Sequence, residues 1–350
     1  EDLDVAETVF VTASKSGTTA EPLAFDAYFF DRVQRALAEG QSDLEAGDRF
    51  MAITDPGSRL EQEAFLRDYR AVYNGDPEVG GRFSALSPFG LVPLAAAGVD
   101  VAEFLHRTRW MVGSCEAAVP PQQNDGLRFG AILGELAKAG RDKLTLVSTP
   151  RLSALGAWIE QLVAESTGKH GLGIIPVDGE ALDAPDAYGD DRFFVFIGLD
   201  DEEDEGRAQK RAALSRAGHP VVSIRLSSPM DLGQEMFRWE MATAVAGHVL
   251  GLNPFDQPNV QESKSFTKQL LEELATTGQL PEANLQTVAA EAGLIVQVDP
   301  AEADAVGSGT VTEVLTRHLD RARVPDYVAI NAFLPMTDEV EAALAVLRAR

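Results

Sequence analysis

At 350 residues the chain is longer than one ordinary core carries and suits two domains, or two plus an extension. No apolar run approaches the roughly 18 residues of a membrane span, nothing resembles a signal peptide, and the single cysteine, Cys115, excludes an internal disulfide framework or a Cys-rich metal site, so the cytoplasm is the expected compartment. A formal net charge of −25 argues against a nucleic-acid surface but not against a small anionic ligand, because a few local cations can dominate a pocket.

The first block of elements has short strands at Thr8–Ala13, Arg49–Thr54 and Tyr69–Tyr73, with a helical pattern over 21–39 between the first two. A largely helical stretch, 87–140, follows and is broken by Pro120-Pro121. The second block is clearer: β-branched and aromatic runs at Lys143–Ser148, Gly173–Val177, Phe193–Leu199 and Val221–Leu226 are separated by helical patterns over 151–166, 206–217 and 232–250. This alternation predicts parallel sheets with helices on both faces. Residues 250–264 are read as a proline-fixed, non-helical path through Pro254 and Pro258, then a short acidic turn ending at Lys264. Beyond it come a helix over 265–277, a strand over 293–298, a helix over 310–321, a strand over 326–333 and a final helix over 337–349. The chain begins at Glu1 rather than Met and ends inside a helical pattern, which predicts a piece of a longer polypeptide.

Four segments carry candidate chemistry. Ser14-Lys15-Ser16-Gly17-Thr18-Thr19 lies between the first strand and first helix. Hydroxyls, backbone N–H groups and a lysine at a helix start form a natural phosphate cradle, whereas one hydroxyl alone would be an ordinary cap. Gly80-Gly81-Arg82-Phe83-Ser84 lets backbone approach a ligand and places a guanidinium behind it, although alone it reads equally as a tight turn. Gln161 and Glu165 lie in QLVAESTGK, where a glutamate at a helix end is ordinarily a solvated charge. Gln257 and Lys264 bring an amide and an ammonium after the proline-rich loop.

Together these segments, in this order, resemble the glucose-6-phosphate isomerase family. The resemblance implies an α/β fold of two sugar-isomerase-type three-layer α/β/α domains with parallel sheets plus a small C-terminal α/β extension. The domains are expected at 1–120 (N-terminally incomplete), 121–264 and 265–350. It also implies interconversion of glucose 6-phosphate and fructose 6-phosphate through an enediolate, a step of glycolysis and gluconeogenesis, with no metal or organic cofactor. Carried over residue by residue, Glu165 becomes the general base, Arg82 the enediolate stabiliser and Lys264 an active-site lysine. Ser14, Lys15, Ser16, Thr19, Gln161 and Gln257 become phosphate-side groups. Two departures stand out: Pro22 replaces a later threonine of the phosphate loop, and Glu235 occupies the place of the family's ring-opening histidine.

Glu235 and the C-terminal group are similar to the isomerase half of bifunctional transaldolase/glucose-6-phosphate isomerase proteins. On that reading a transaldolase barrel and a first strand precede the chain, and residues 1–350 alone turn over weakly or not at all. A non-catalytic sugar-phosphate-binding module and a dual phosphoglucose/phosphomannose isomerase are the alternatives. Relatives often build the pocket at a dimer interface, which leaves a homodimer open. The remaining candidates read as structural. His106, His170, His219, His248 and His318 have no metal-ligand spacing, the acidic run Asp200–Glu205 suits a solvated helix start, Trp110, Trp158 and Trp239 suit core or interface, and Cys115 suits a small buried hydrophobe.

Overall fold

The computed structural model describes residues 3–281, 283–323 and 326–348. The chain divides into two compact units, Glu1–Gln257 and Pro258–Arg350.

The first unit opens with β1 (Phe10–Ala13), α1 (Ala20–Glu39), β2 (Phe50–Thr54), α2 (Arg59–Leu66) and β3 (Ala71–Asn74). These strands form a parallel sheet in the order β1-β2-β3. Phe50 and Ala52 of β2 pack against Val33 and Leu37 of α1 and Leu60 and Ala64 of α2, the amphipathic faces that make this a βαβ unit. Three helices follow: α3 (Pro88–Ala96), α4 (Val101–Ser114) and α5 (Asp125–Lys138). Each starts at a side-chain cap, from Ser87, Asp100 and Asn124 respectively.

Next come β4 (Lys143–Ser148), α6 (Leu155–Thr167), β5 (Ile175–Val177), β6 (Arg192–Leu199), α7 (Glu205–Arg216), β7 (Val221–Leu226) and α8 (Leu232–Leu250). The second sheet is parallel, in the order β5-β4-β6-β7. Phe193, Val195 and Ile197 of β6 face α5, α6 and α8 across the main core, while Phe194 and Phe196 face Leu214 of α7. Burial on both faces explains the unbroken apolar run of β6 and makes this a three-layer arrangement. Helix α5 packs tightly on α8 through Gly126, Gly130 and Gly134; a Cβ on Gly130 would lie 2.5 Å from the Ala242 carbonyl oxygen. Gly251, at φ 75°, ends α8.

The second unit holds α9 (Pro258–Thr277), β8 (Gln286–Glu291), β9 (Leu294–Val298), α10 (Ala303–Val306), α11 (Val311–Leu319) and α12 (Asp338–Arg348). β8 and β9 pair antiparallel over a small core of Val288, Ala289, Ala303, Val306, Val311 and Val314. Among the described residues, no helix is long and apolar enough to cross a membrane.

Two expectations need correction. Residues 258–264 are not a turn but the first part of α9, because Pro258 sits at the helix start, where its missing N–H breaks no helical bond. Residues 326–333 form no strand, and Tyr327, Val328, Ile330 and Phe333 lie exposed along that segment. Trp110 is exposed, whereas Trp239 and Cys115 are buried.

Candidate active site

The carboxyl ends of β1, β2 and β3 converge, as expected for ligand loops of an open parallel sheet. After β1, Ser14 is buried and its Oγ lies 3.2 Å from Thr19 Oγ1; Ser16 is exposed and its Oγ meets Thr18 Oγ1 at 2.8 Å. Gly17 takes φ 64° and passes so close to α2 that a Cβ would lie 2.7 Å from Leu60 N, so only glycine suits this turn. Thr19 stands at the α1 N-cap position without a side-chain cap bond, leaving its hydroxyl with Ser14. Lys15 turns to the neighbouring loops: its Nζ lies 2.8 Å from both Asp55 carboxylate oxygens and 2.7 Å from the Asp76 carbonyl. The hydroxyls of the cradle thus face the helix start, while its ammonium ties β1 to the loops after β2 and β3.

The loop after β3 leads into Arg82, on a short 3-10 turn (Gly81–Phe83), and the guanidinium is buried. Arg82 Nη1 donates to Ser166 Oγ and, at 3.0 Å, to the Pro254 carbonyl, while Nη2 donates to the Asp256 carbonyl at 3.2 Å. Its Nε lies 3.7 Å from Glu165 Oε1. Burial pulls the Arg82 pKa below its ordinary value, and Glu165 and Asp256 push back; the group remains a cation at neutral pH. Glu165 is at the end of α6 with its side chain 21% exposed, and Gln161, one turn earlier, lies 3.4 Å from its other oxygen.

Three stretches far apart in sequence therefore meet: the Gly-Gly-Arg turn, the end of α6 and the loop 253–256 that precedes Gln257. Phe83 against Phe255, with ring centroids 5.1 Å apart, closes the same junction. Gln257 is exposed at the end of this loop.

Glu235 is placed differently. It is buried in the first turn of α8 and pairs with Arg238 at 3.1 Å. Burial pushes its carboxyl up to about 7; Arg238 opposes this, and Asp125 and Asp231 add to it. Lys264 is exposed on α9, in the second unit.

Two further groups lie at the junction. Lys169, the last residue of the QLVAESTGK segment, is buried and donates from Nζ to the Asn253 and Asp256 carbonyls, both at 2.7 Å, and to the Asp256 carboxylate. Glu240 of α8 accepts from the Ala85 backbone N–H beside the Arg82 turn, and burial pushes its carboxyl up to about 8.

No family model matches the chain. A glucose-6-phosphate isomerase of Rubrobacter xylanophilus is 32% identical over 315 residues, covering 76% of this chain and 69% of that protein. Another, of Parabacteroides distasonis, is 30% identical over 300 residues, covering 75% of this chain and 66% of that protein. The chain thus spans only 66% of the length of the Parabacteroides relative. A crystal structure of a hypothetical protein of Thermus thermophilus superposes with a TM-score of 0.66 at 28% identity, over 77% of this chain and 73% of that one. A glucose-6-phosphate isomerase of Chlamydia trachomatis shares the fold, with a TM-score of 0.61 at 22% identity over 78% of this chain and 61% of that one. By its identity to the Rubrobacter protein, over more than two thirds of that relative, this chain belongs to the glucose-6-phosphate isomerase family.

Proposed function

We propose that this chain is the isomerase portion of an enzyme interconverting glucose 6-phosphate and fructose 6-phosphate. The observation that carries the reading is the Glu165–Arg82 pair, 3.7 Å apart, one a partly exposed carboxylate and the other a buried, fixed guanidinium. The α1 N-terminus, with Ser14, Ser16 and Thr19, receives the phosphate, and Lys15, Gln161 and Gln257 serve its side of the site. Glu165 takes the C2 proton of the open-chain sugar and returns it to C1. Arg82 stabilises the charge that develops on oxygen; because Ser166 and the loop carbonyls already hold it, little reorganisation remains at the moment of reaction. Glu235, with its carboxyl near neutrality, is a candidate acid for ring opening.

General acid–base catalysis contributes about 10²–10⁴-fold, so Glu165→Gln is expected to lower kcat at least about a hundredfold with the fold intact. Full retention of rate removes Glu165 from this role. A second reading, a sugar-phosphate-binding module without turnover, draws on the burial of Glu235 against Arg238, which leaves ring opening without an exposed acid at that position. It predicts that fructose 6-phosphate binds and is never converted. Glu235 in place of histidine also supports attachment to a transaldolase. Competition assays with mannose 6-phosphate address the dual specificity.

A further inference from the structure

The sequence places Lys169 after the glycine that ends α6, four residues beyond Glu165. Its backbone is fixed by a tight turn: Lys169 N donates to Leu172 O and Leu172 N to Lys169 O, both at 3.0 Å. The two central residues, His170 at φ 57° and Gly171 at φ 74°, are both left-handed. Such a turn reverses the chain in two residues, with histidine, which tolerates the left-handed region better than most side chains, at its first central position and glycine at its second.

The turn aims the lysine inward. Its side chain is only 2% exposed, and burying an ammonium is tolerable only when its donors are met. Three donors meet three acceptors: the Asn253 carbonyl, the Asp256 carbonyl and the Asp256 carboxylate. Arg82 takes the Pro254 carbonyl and shares that of Asp256. Two cations thus grip the loop by its backbone immediately before Gln257. The Asp256 carboxyl is held below its ordinary range, first by the Lys169 hydrogen bond and charge, with smaller help from His170 and Arg82. Without Lys169, the half-exposed Asp256 carboxylate keeps His170 and Arg82 as its cationic influences, and Arg82 is the group against which Glu165 rests.

We propose that Lys169 is a positioning residue of this site, resting on the isomerase reading above: it fixes the 253–257 loop and keeps the Asp256 carboxylate from competing for Arg82. The test uses the whole chain, with Lys169→Met, Asp256→Asn and the double variant. Lys169→Met is expected to raise KM for fructose 6-phosphate at least tenfold. Asp256→Asn alone is expected to change it less than twofold, and the double variant to regain at least a threefold part of the loss, the share due to the uncovered carboxylate, while the share due to the lost backbone bonds remains. A merely structural clamp would not be rescued this way, because the second substitution restores none of the ammonium's bonds.

Unchanged KM in Lys169→Met, or no recovery in the double variant, overturns the proposal. If Lys169→Met does not fold, Asp256→Asn decides: near-parental kinetics support the shielding role, and a tenfold or larger loss overturns it. If the unsubstituted chain shows no turnover, hydrogen exchange alone judges the placement of the loop. Amides of Phe255, Asp256 and Gln257 exchanging at least tenfold faster in Lys169→Met, with β6 unchanged, support the proposal; unchanged exchange overturns it.

Discussion

Two carboxyls on α8 illustrate how burial alone sets a residue's chemistry. Glu235 has a cationic neighbour in Arg238, whereas Glu240 Oε1 has no hydrogen-bond partner among the described residues. Both are pushed upward by burial, to about 7 and about 8. A carboxyl whose folded pKa exceeds its unfolded value binds its proton more tightly in the native state. Its stabilising contribution is therefore complete below the ordinary carboxylate value, about 4.5, and is lost as pH rises through 7 and 8. Glu240→Gln is accordingly expected to match the parent's stability near pH 5 and to exceed it by on the order of 1–3 kcal/mol at pH 9. Chemical denaturation at the two pH values checks this, and a variant less stable at pH 9 would show that the ionised Glu240 has a partner. Glu240 did not stand out in the sequence, and Lys169 closed the QLVAESTGK segment without a role of its own, because a charged residue on a helix or after a glycine is ordinarily solvated. What internalises them is a packing partner from another segment, Ala85 for one and the 253–256 loop for the other.

At the scale of elements, the second sheet was legible because β6 is apolar on both faces and its neighbours are rich in β-branched residues. The errors have equally physical origins. Pro258 looked like a helix breaker but occupies the position where a helix accepts proline. The apolar segment 326–333 has the composition of a strand but no strand pairs with it among the described residues. β8, with two alanines, lacks the β-branched signature and went unread. The α5–α8 contact yields a firm prediction. A side chain on Gly130 meets both the Ala242 carbonyl and the Val245 Cβ at 2.5 Å, distances that neither backbone nor a stiff side chain can relieve locally. Gly130→Val is expected to destabilise the first unit by about 1–3 kcal/mol or more through overpacking, read as a lower urea midpoint. Gly140→Ala is not an equivalent control, because Gly140 takes φ 83°.

Across the whole molecule the dominant electrostatic fact is a net charge of −25. Many surface carboxylates do find partners, as in the acidic run after β6, where Arg151 pairs with Asp201 and Glu202, and Arg225 with Asp200. Exposed pairs of this kind contribute about 0–1 kcal/mol each and weaken as salt is added. Diffuse repulsion among the excess carboxylates is screened over the same range, with a Debye length of about 10 Å at 0.1 M. The imbalance is large enough for repulsion to win. The thermal midpoint is expected to rise between low salt and physiological salt at pH 7, and a fall would show that local ion pairs dominate.

The polarity of the two parallel sheets has a practical corollary. In the second sheet the end of α6, with Glu165, lies at the rim where the strands begin, while the loops leaving β4 and β6 lie at the opposite rim. Ala154 and Glu205, which open α6 and α7, are exposed there. The lone native thiol, Cys115, is buried. Cysteines introduced at 154 and 205 would thus be the reactive ones, giving two attachment points for a fluorophore pair on the rim opposite the end of α6.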